Sequence, residues 1–600
     1  MIADDGNGSA GRCLVDGHAV GKLLHTDMPL SFWGGVDSFT GQVIDRHHPL
    51  SGRSLVGSVL ALPSGRGSCS GSGVMLELLL NGNGPAALVL ERPDDILTLG
   101  VVVAEEMFER SIPVVVVGPE QFRSLARAAW VEVSGSVVRR LSRPEQADGA
   151  AAPGSVPKEP PPGVQLTEAD RALLAGAGGR ARQAAMRIIL RMAGFHQARR
   201  LIDVRQAHID GCLYTGPAGL RFARLLCDWG GRVRIPTTLN AISVDRRNWR
   251  RQGVDAAVGE PAGALADAYV EMGAQPTFTC APYLLDGAPG RGDDIGWSES
   301  NAVVYANSVL GARTMKYPDY LDICVALTGR APLSGCHVEG NRRATLRITV
   351  PSCPEADDSF YPLLGYHVGA VAADRIPAIA GLEQAGPGAD DLKAFGAAFA
   401  TTSSAPMFHI AGITPEATTL EAVLEDGAES HEVSLADLAA HWTALNTALH
   451  TASGTDSDST AGLRIDLVSL GNPHFSYAEF KRLAALSRGR AKDPDVQVVI
   501  TCGRATLEAA AVDGIVAELE RFGARIVTDV CWCTIGEPLF PVTARVVMTN
   551  SAKYAHYGPG LSGRPVRFGS LADCVAAACS GRAAGQPPGW LGVAASGSAG

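Results

Sequence analysis

The sequence predicts an α/β protein: a smaller β/α domain at the N-terminus, then a large multi-layer α/β region. Three observations predict it, namely the length, a proline-rich break, and a recurring alternation of short apolar runs with helix-like stretches. At 600 residues the chain exceeds what one hydrophobic core organises, so two or more domains are expected. Over 145–165, small residues give way to Pro153, Pro157, Pro160, Pro161 and Pro162 with neither helical nor strand periodicity. That stretch reads as a linker between a domain at 1–144 and a larger one at 166–590. A composition 46% hydrophobic and 19% charged is too apolar for a disordered chain and sufficient for both cores.

Before the linker, the runs 57–62, 87–90, 114–118 and 131–133 are apolar and short enough for strands, and 97–109 is helix-like. After it, 168–193 predicts a helix. The runs 497–501, 526–530 and 545–548 predict buried strands separated by helices such as 507–522, a pattern that favours parallel pairing. The Ser/Thr/Asp-rich stretch 451–461 predicts a surface loop, and the tail from Ser596 a frayed end. No internal repeat recurs at a fixed period.

The bulk numbers also exclude function classes. A formal net charge of −10 repels phosphate backbones, and the one dense basic stretch, 246–251, is short, so no nucleic-acid partner is expected. Apolar runs such as 101–104 and 112–117 fall far below the roughly 20 residues that cross a bilayer. The first residues carry Asp4 and Asp5 in place of a basic signal-peptide start, which points to the cytoplasm. In a reducing compartment, thirteen cysteines favour metal-binding or catalytic roles over disulfides, except where they are simply buried.

Three constellations carry chemistry. The first is the loop Ser64-Gly65-Arg66-Gly67-Ser68-Cys69-Ser70-Gly71-Ser72-Gly73, set between a strand-like run and the helix-like 74–80. Its glycines allow tight turns, and successive N–H groups with a following helix N-terminus suit an anion such as a carboxylate or phosphate. A plain structural turn is the other reading. Cys69, flanked as Gly67-Ser68-Cys69-Ser70-Gly71, also has the spacing of a nucleophile elbow. The second is the set Cys280, Cys502, Cys531 and Cys533 in loop-like settings, with Cys502 and Cys531 at the C-terminal ends of predicted strands, where open α/β sheets place ligands. No compact CxxC spacing is present, so the residues alone favour buried small hydrophobes over ligands. The third set, His208, Thr238, Asn240, Glu299, Ser300, Lys553 and His556, suits small polar ligands or a satisfied structural network.

Several long stretches, in order, resemble the aconitase X family. In the N-terminal part they are Ser-Phe-Trp-Gly-Gly-Val-Asp at 31–37, Asp-Arg-His-His-Pro-Leu at 45–50, the Gly/Ser loop, and Asp-Ile-Leu-Thr-Leu-Gly at 95–100. In the large part they are the stretches around His208, Thr237, Cys280 and Cys531, the run from Glu299 to Thr314, and Lys-Tyr-Ala-His-Tyr at 553–557. The resemblance implies a small swivelling domain capping a large aconitase-like domain, with substrate and an iron–sulfur cluster (2Fe-2S favoured) between them.

It further implies Cys280, Cys502 and Cys531 as cluster ligands, with Cys533 a thiol able to substitute. Ser68 becomes the base that takes a proton from C2 of a hydroxy acid. Arg66, Ser70 and Ser72 would hold its carboxylate, and the third set would complete substrate binding. Fusion of both parts in one chain resembles the branch that dehydrates cis-3-hydroxy-L-proline to 1-pyrroline-2-carboxylate and water, whereas the mevalonate 5-phosphate dehydratases have two subunits. The expectation is therefore a hydro-lyase acting on a small hydroxy amino acid, as a monomer. A mevalonate 5-phosphate dehydratase, a cysteine hydrolase using Cys69, and a non-catalytic ligand-binding protein are the alternatives.

Overall fold

The computed structural model describes residues 9–45, 48–142, 163–446, 463–584 and 586–592. The expected linker up to residue 162, the loop at 451–461 and the tail from Ser596 lie outside the described residues, as do Arg46 and His47.

The N-terminal part is built on an eight-stranded sheet whose centre is parallel. His18–His25, Val59–Leu62, Ala87–Leu90 and Val114–Val116 lie side by side in that order. Trp130–Ser134 and Val137–Leu141 add antiparallel on one flank, and Arg12–Val15 on the other. Every residue of Val59–Leu62 and Ala87–Leu90 is buried, since the helices Gly71–Asn81 and Asp95–Phe108 pack on one face and Gly118–Leu125 on the other. Burial on both faces is why these strands read as unbroken apolar runs.

The large part contains three all-parallel sheets. The first sets Thr237–Leu239, Ala207–Ile209 and Gly296–Trp297 side by side. The second runs His409–Ile410, Pro377–Ala380, Ala344–Thr349, Leu424–Glu432. The third runs Ala524–Thr528, Gln497–Cys502, Leu467–Phe475, Val547–Thr549, Val566–Phe568.

Three expected elements differ in extent. The stretch 168–193 is two helices, Glu168–Leu174 and Arg180–Phe195, because Gly176 and Gly179 turn the chain at φ 95° and 85°. The stretch 507–522 divides into Arg504–Val512 and Ile515–Phe522 at Gly514. The strand expected at 526–530 ends at Thr528, since Asp529 takes φ 72° and swings the following residues out of the sheet.

The two parts share one apolar cluster, in which Leu76, Leu99 and Val103 of the N-terminal part join Ile188, Met192 and Phe222 of the large part. Ion pairs from Arg187 to Glu106 (2.5 Å) and from Arg191 to Glu105 fasten the same seam. Glu77 reaches across it to accept the Ala218 N–H at 2.7 Å, an otherwise unsatisfied donor at the start of the helix Pro217–Asp228. This seam fixes the Gly/Ser loop over the large part. No helix among the described residues is long and apolar enough to cross a membrane.

Candidate active site

Parallel strands deliver side chains at their carboxyl ends, and here two sheets deliver to one place. From the three-stranded sheet come Asp210 after Ala207–Ile209, Asn240 after Thr237–Leu239, and Glu299 after Gly296–Trp297. From the five-stranded sheet come Cys531 and Cys533 beyond Ala524–Thr528, and Lys553 at the start of the helix Ala552–Ser562 that follows Val547–Thr549. Together with Ser300, Thr401, Tyr557 and the N-terminal part's Trp33, Ser68 and Ser70, they line one cleft.

The Gly/Ser loop is pinned to the large part from below. The Cys69 thiol donates to the Ser298 carbonyl at 2.9 Å, and the Ser72 hydroxyl is taken up by the carbonyls of Cys69 (2.9 Å) and Asp319 (3.2 Å). Ser68 and Ser70 face the cleft with their hydroxyls 3.3 Å apart. Arg66 is not part of the lining; its guanidinium pairs with Asp45 at 3.0 Å.

The centre of the cleft is charged and mostly desolvated. Lys553 Nζ donates to Glu299 Oε1 at 3.0 Å, with side-chain exposures of 13% and 11%. Asn240 donates to Asp210 and, at 3.3 Å, to Glu299. Burial opposes the lysine's charge, but Glu299 and then the thiols outweigh it and hold the ammonium well above the usual lysine range. Burial likewise opposes Glu299's charge, and Lys553 with the Asn301 amide overcomes it, so that carboxyl is lowered. Asp210 has no ion pair among the described residues, and burial followed by the nearby Glu299 charge pushes its carboxyl up. Asp322, which accepts the N–H groups of Asp210 (2.7 Å) and Gly211 (3.2 Å), is raised by burial to about 6.

Beside Lys553, Cys280, Cys531 and Cys533 form one cluster with Ala241. The Asn472 amide donates to Cys533 Sγ at 3.3 Å, and the His474 N–H to Cys280 Sγ at 3.3 Å. Contact with Cys280 raises Cys531, and contact with Cys531 raises Cys533; burial adds to both. The bend that brings Cys531 and Cys533 here is clamped by Arg504, whose guanidinium grips Asp529 at 2.7 and 2.6 Å. No group of three His, Cys, Asp or Glu side chains among the described residues is arranged to hold a single metal ion.

Of the residues singled out from sequence, Ser68, Ser70, Asn240, Glu299, Ser300, Lys553, Cys531 and Cys533 meet in the cleft lining, and Cys280 stands in the thiol cluster behind it. The others lie elsewhere. Cys502 packs in the apolar cluster of Val468, Phe475 and Ile500, apart from the thiols. His208 is fully buried with Nδ1 2.8 Å from Thr238 Oγ1, and burial lowers it to about 3, so it stays neutral. His556 is exposed and its Nδ1 meets the Tyr366 hydroxyl at 2.9 Å. Asp210, Trp33 and Tyr557 fall inside stretches the sequence marks without being singled out there. Thr401, Asn472 and His474 carry no motif at all.

Four aconitase X family models match the chain: the swivel domain at residues 9–140, the first domain at 163–340, the second at 344–443 and the third at 465–580. The chain belongs to the aconitase X family. Each of the four matched regions of this aconitase X chain contributes to the cleft: Ser68 from the first in sequence, then Glu299, Thr401 and Lys553. The chain is 56% identical to the cis-3-hydroxy-L-proline dehydratase of Hypocrea jecorina over 97% of both chains. It is 54% identical to the protein of that name from Pseudomonas aeruginosa, over 97% of this chain and 98% of the relative. The crystal structure of the holo-form of Thermococcus kodakaraensis aconitase X superposes with a TM-score of 0.61 at 31% identity, covering 69% of this chain and all of that one.

The Lys553–Glu299 pair yields a test. Removing one partner of a buried pair leaves the other charge uncompensated, at a cost of about 3–5 kcal/mol, while removing both costs far less. Lys553→Met should therefore lower stability markedly in denaturant titrations, and the double variant K553M/E299Q should recover most of the loss. Equal stability of the two would show that the pair is not the cleft's electrostatic centre.

Proposed function

We propose that this chain is an iron–sulfur-dependent hydro-lyase that converts cis-3-hydroxy-L-proline to 1-pyrroline-2-carboxylate and water. The full-length likeness to two cis-3-hydroxy-L-proline dehydratases carries the reading, and the chemistry of the cleft agrees with it.

The donor set suits the cofactor. Thiolates are the ligands iron–sulfur clusters take, and three thiols gather here with an amide, a backbone N–H and an ammonium beside them to offset negative charge on sulfur. Cys280, Cys531 and Cys533 would hold the cluster, for which we favour the two-iron form, and Cys502 would not. Bound there, it supplies Lewis acidity toward the 3-hydroxyl.

The protein's own groups do the rest. Ser68, its alkoxide form stabilised at the positive end of the dipole of the helix Gly71–Asn81 that begins just after it, takes the proton from C2 and becomes the neutral hydroxyl. Glu299 offers its carboxylate to the ring ammonium, with Asn240 and Ser300 as hydrogen-bonding neighbours. As the C2–H bond breaks, its electrons form the C2–C3 double bond and the 3-hydroxyl departs as water with a proton drawn from solvent, to which Ser68 returns the one it took from C2. The enamine so formed tautomerises to the cyclic imine, which draws the reaction forward. Arg246 and Arg250, the sequence's one dense basic stretch, pair with Asp267 and Glu260, away from the cleft lining, so they offer no site for a phosphate ester there.

Three outcomes are expected. Purified holoenzyme should consume cis-3-hydroxy-L-proline but neither the trans-3 isomer nor mevalonate 5-phosphate, because a misplacement of about 1 Å between hydroxyl, proton and base costs on the order of a hundredfold in rate. Preference for the phosphate ester would sink the proline reading and leave the dehydratase class standing. Ser68→Ala should retain iron and lower kcat about a hundredfold or more with little change in KM, as the loss of a proton acceptor in the transition state requires. Unchanged turnover would transfer the role to another group. Serine at Cys280, Cys531 or Cys533 should abolish visible absorbance and bound iron together, whereas Cys502→Ser should keep both; iron loss from the Cys502 variant would overturn this ligand set.

A further inference from the structure

The ring nitrogen of the substrate proposed above is a secondary ammonium with two N–H bonds. A site that meets only one of them leaves the other desolvated and unpaired. Two carboxyls line the cleft, Asp210 and Glu299, against one cation, Lys553, which is bonded to Glu299. One carboxyl is left without a countercharge.

That carboxyl is Asp210. The residue is 2% exposed, and no Lys, Arg or His among the described residues stands at ion-pair distance from it. Its Oδ1 accepts from the Asn240 amide nitrogen, which also donates to Glu299 Oε2 at 3.3 Å, so the two carboxyls of the lining converge on one point. Its other oxygen receives no hydrogen bond from a nitrogen among the described residues. The groups around it supply no free positive charge. Asp322 lies behind it, taking the Asp210 N–H at 2.7 Å. Asp319 and the Tyr269 hydroxyl flank Gly211, 3.7 and 3.4 Å from where a Cβ would stand, and the Cys212 thiol turns to the carbonyls of Ile209 and Asn240. In such surroundings the empty cleft favours the protonated acid, consistent with the upward push from burial and Glu299. An entering cation supplies the missing countercharge and displaces that proton.

We propose that Asp210 is a substrate-binding residue that brackets the ring ammonium together with Glu299, each carboxylate accepting one of its two N–H bonds. The inference rests on the dehydratase reading above and deepens it. The proton Asp210 holds in the empty cleft passes to solvent as the ammonium enters, so the ammonium's charge is balanced where it lies. Two fixed acceptors on the nitrogen also orient the ring, and with it the C2 proton, while Leu213, Ala397 and Ala400 offer apolar surface to the ring carbons. A hydroxy acid without a cation leaves Asp210 protonated and unused, so the residue favours amino acids.

L-Proline and (S)-tetrahydrofuran-2-carboxylate, which has oxygen in place of the ring nitrogen, separate this role from a structural one. Asp210→Asn keeps an acceptor for Asn240 and removes only the ability to ionise. In calorimetric titrations of the iron-loaded enzyme it should weaken L-proline by at least about tenfold and leave the tetrahydrofuran acid unchanged. Repeated in buffers of different ionisation enthalpy at neutral pH, the titrations should show wild type releasing about one proton per L-proline bound and the variant none. Undiminished L-proline binding by a folded Asp210→Asn variant overturns the assignment, and so does equal weakening of both ligands. Binding of L-proline by wild type without proton release overturns it whether or not the variant folds. A wild-type enzyme that neither turns over cis-3-hydroxy-L-proline nor binds L-proline overturns the function on which the assignment rests; turnover by wild type with L-proline binding intact in the variant overturns only Asp210.

Discussion

The ion pair between Lys553 and Glu299 joins the carboxyl ends of two sheets that lie far apart in sequence. Glu299 follows the last strand of the three-stranded sheet, Lys553 follows the fourth strand of the five-stranded one, and the two are 254 positions apart. Each sheet alone would present its carboxyl edge to solvent. Facing each other, they make a low-dielectric space in which Asp210 and the thiols experience shifts that solvent would abolish. The Asn240 and Asn301 amides brace the glutamate, so the pair's geometry follows from the strand ends and not from chance meeting of long side chains.

The N-terminal part closes this space with backbone contacts more than with charge. The Cys69 thiol, the Ser72 hydroxyl and the Asp319 N–H tie the Gly/Ser loop to two carbonyl-bearing segments of the large part, and Glu77 and the arginine pairs tie the helices behind it. Buried in this way, Cys69 has its thiol pushed well up by desolvation, the opposite of what a nucleophile needs. The spacing that mimics a nucleophile elbow thus serves to hold two serine hydroxyls at the cleft.

Legibility in the sequence followed physical signal. The strands Val59–Leu62, Ala87–Leu90 and Gln497–Cys502 were legible because burial on both faces leaves continuous apolar runs. The helix breaks at Gly176, Gly179 and Gly514 were harder, since a glycine inside a helical pattern is common and only the φ it adopts decides. Asp529 gives no warning of its left-handed turn, yet that turn, clamped by Arg504, sends Cys531 and Cys533 toward Cys280 while Cys502 faces the apolar core on its strand. The gathering of three of the four cysteines therefore depends on the bend, which no local motif encodes. Thr401 illustrates the same limit, being brought to the cleft by helix packing without any neighbouring pattern.

The electrostatics also narrow which kind of group can act as base. A carboxylate is the ordinary choice, and the cleft lining contains two, Asp210 and Glu299. Burial and the Glu299 charge favour the protonated form of Asp210, which makes it a donor in that state. Glu299 remains ionised only because Lys553 and the asparagine amides hold it, and the same bonds that lower its carboxyl weaken it as a proton acceptor. His208 and His474, neutral through burial, stand outside the lining, with His474 bonded through both ring nitrogens to Thr279 and Val530. A base at this cleft is thus most economically a hydroxyl whose alkoxide the site stabilises. Ser68, next to Ser70 and just before a helix N-terminus, has surroundings of that kind, which is the ground for the role proposed for it.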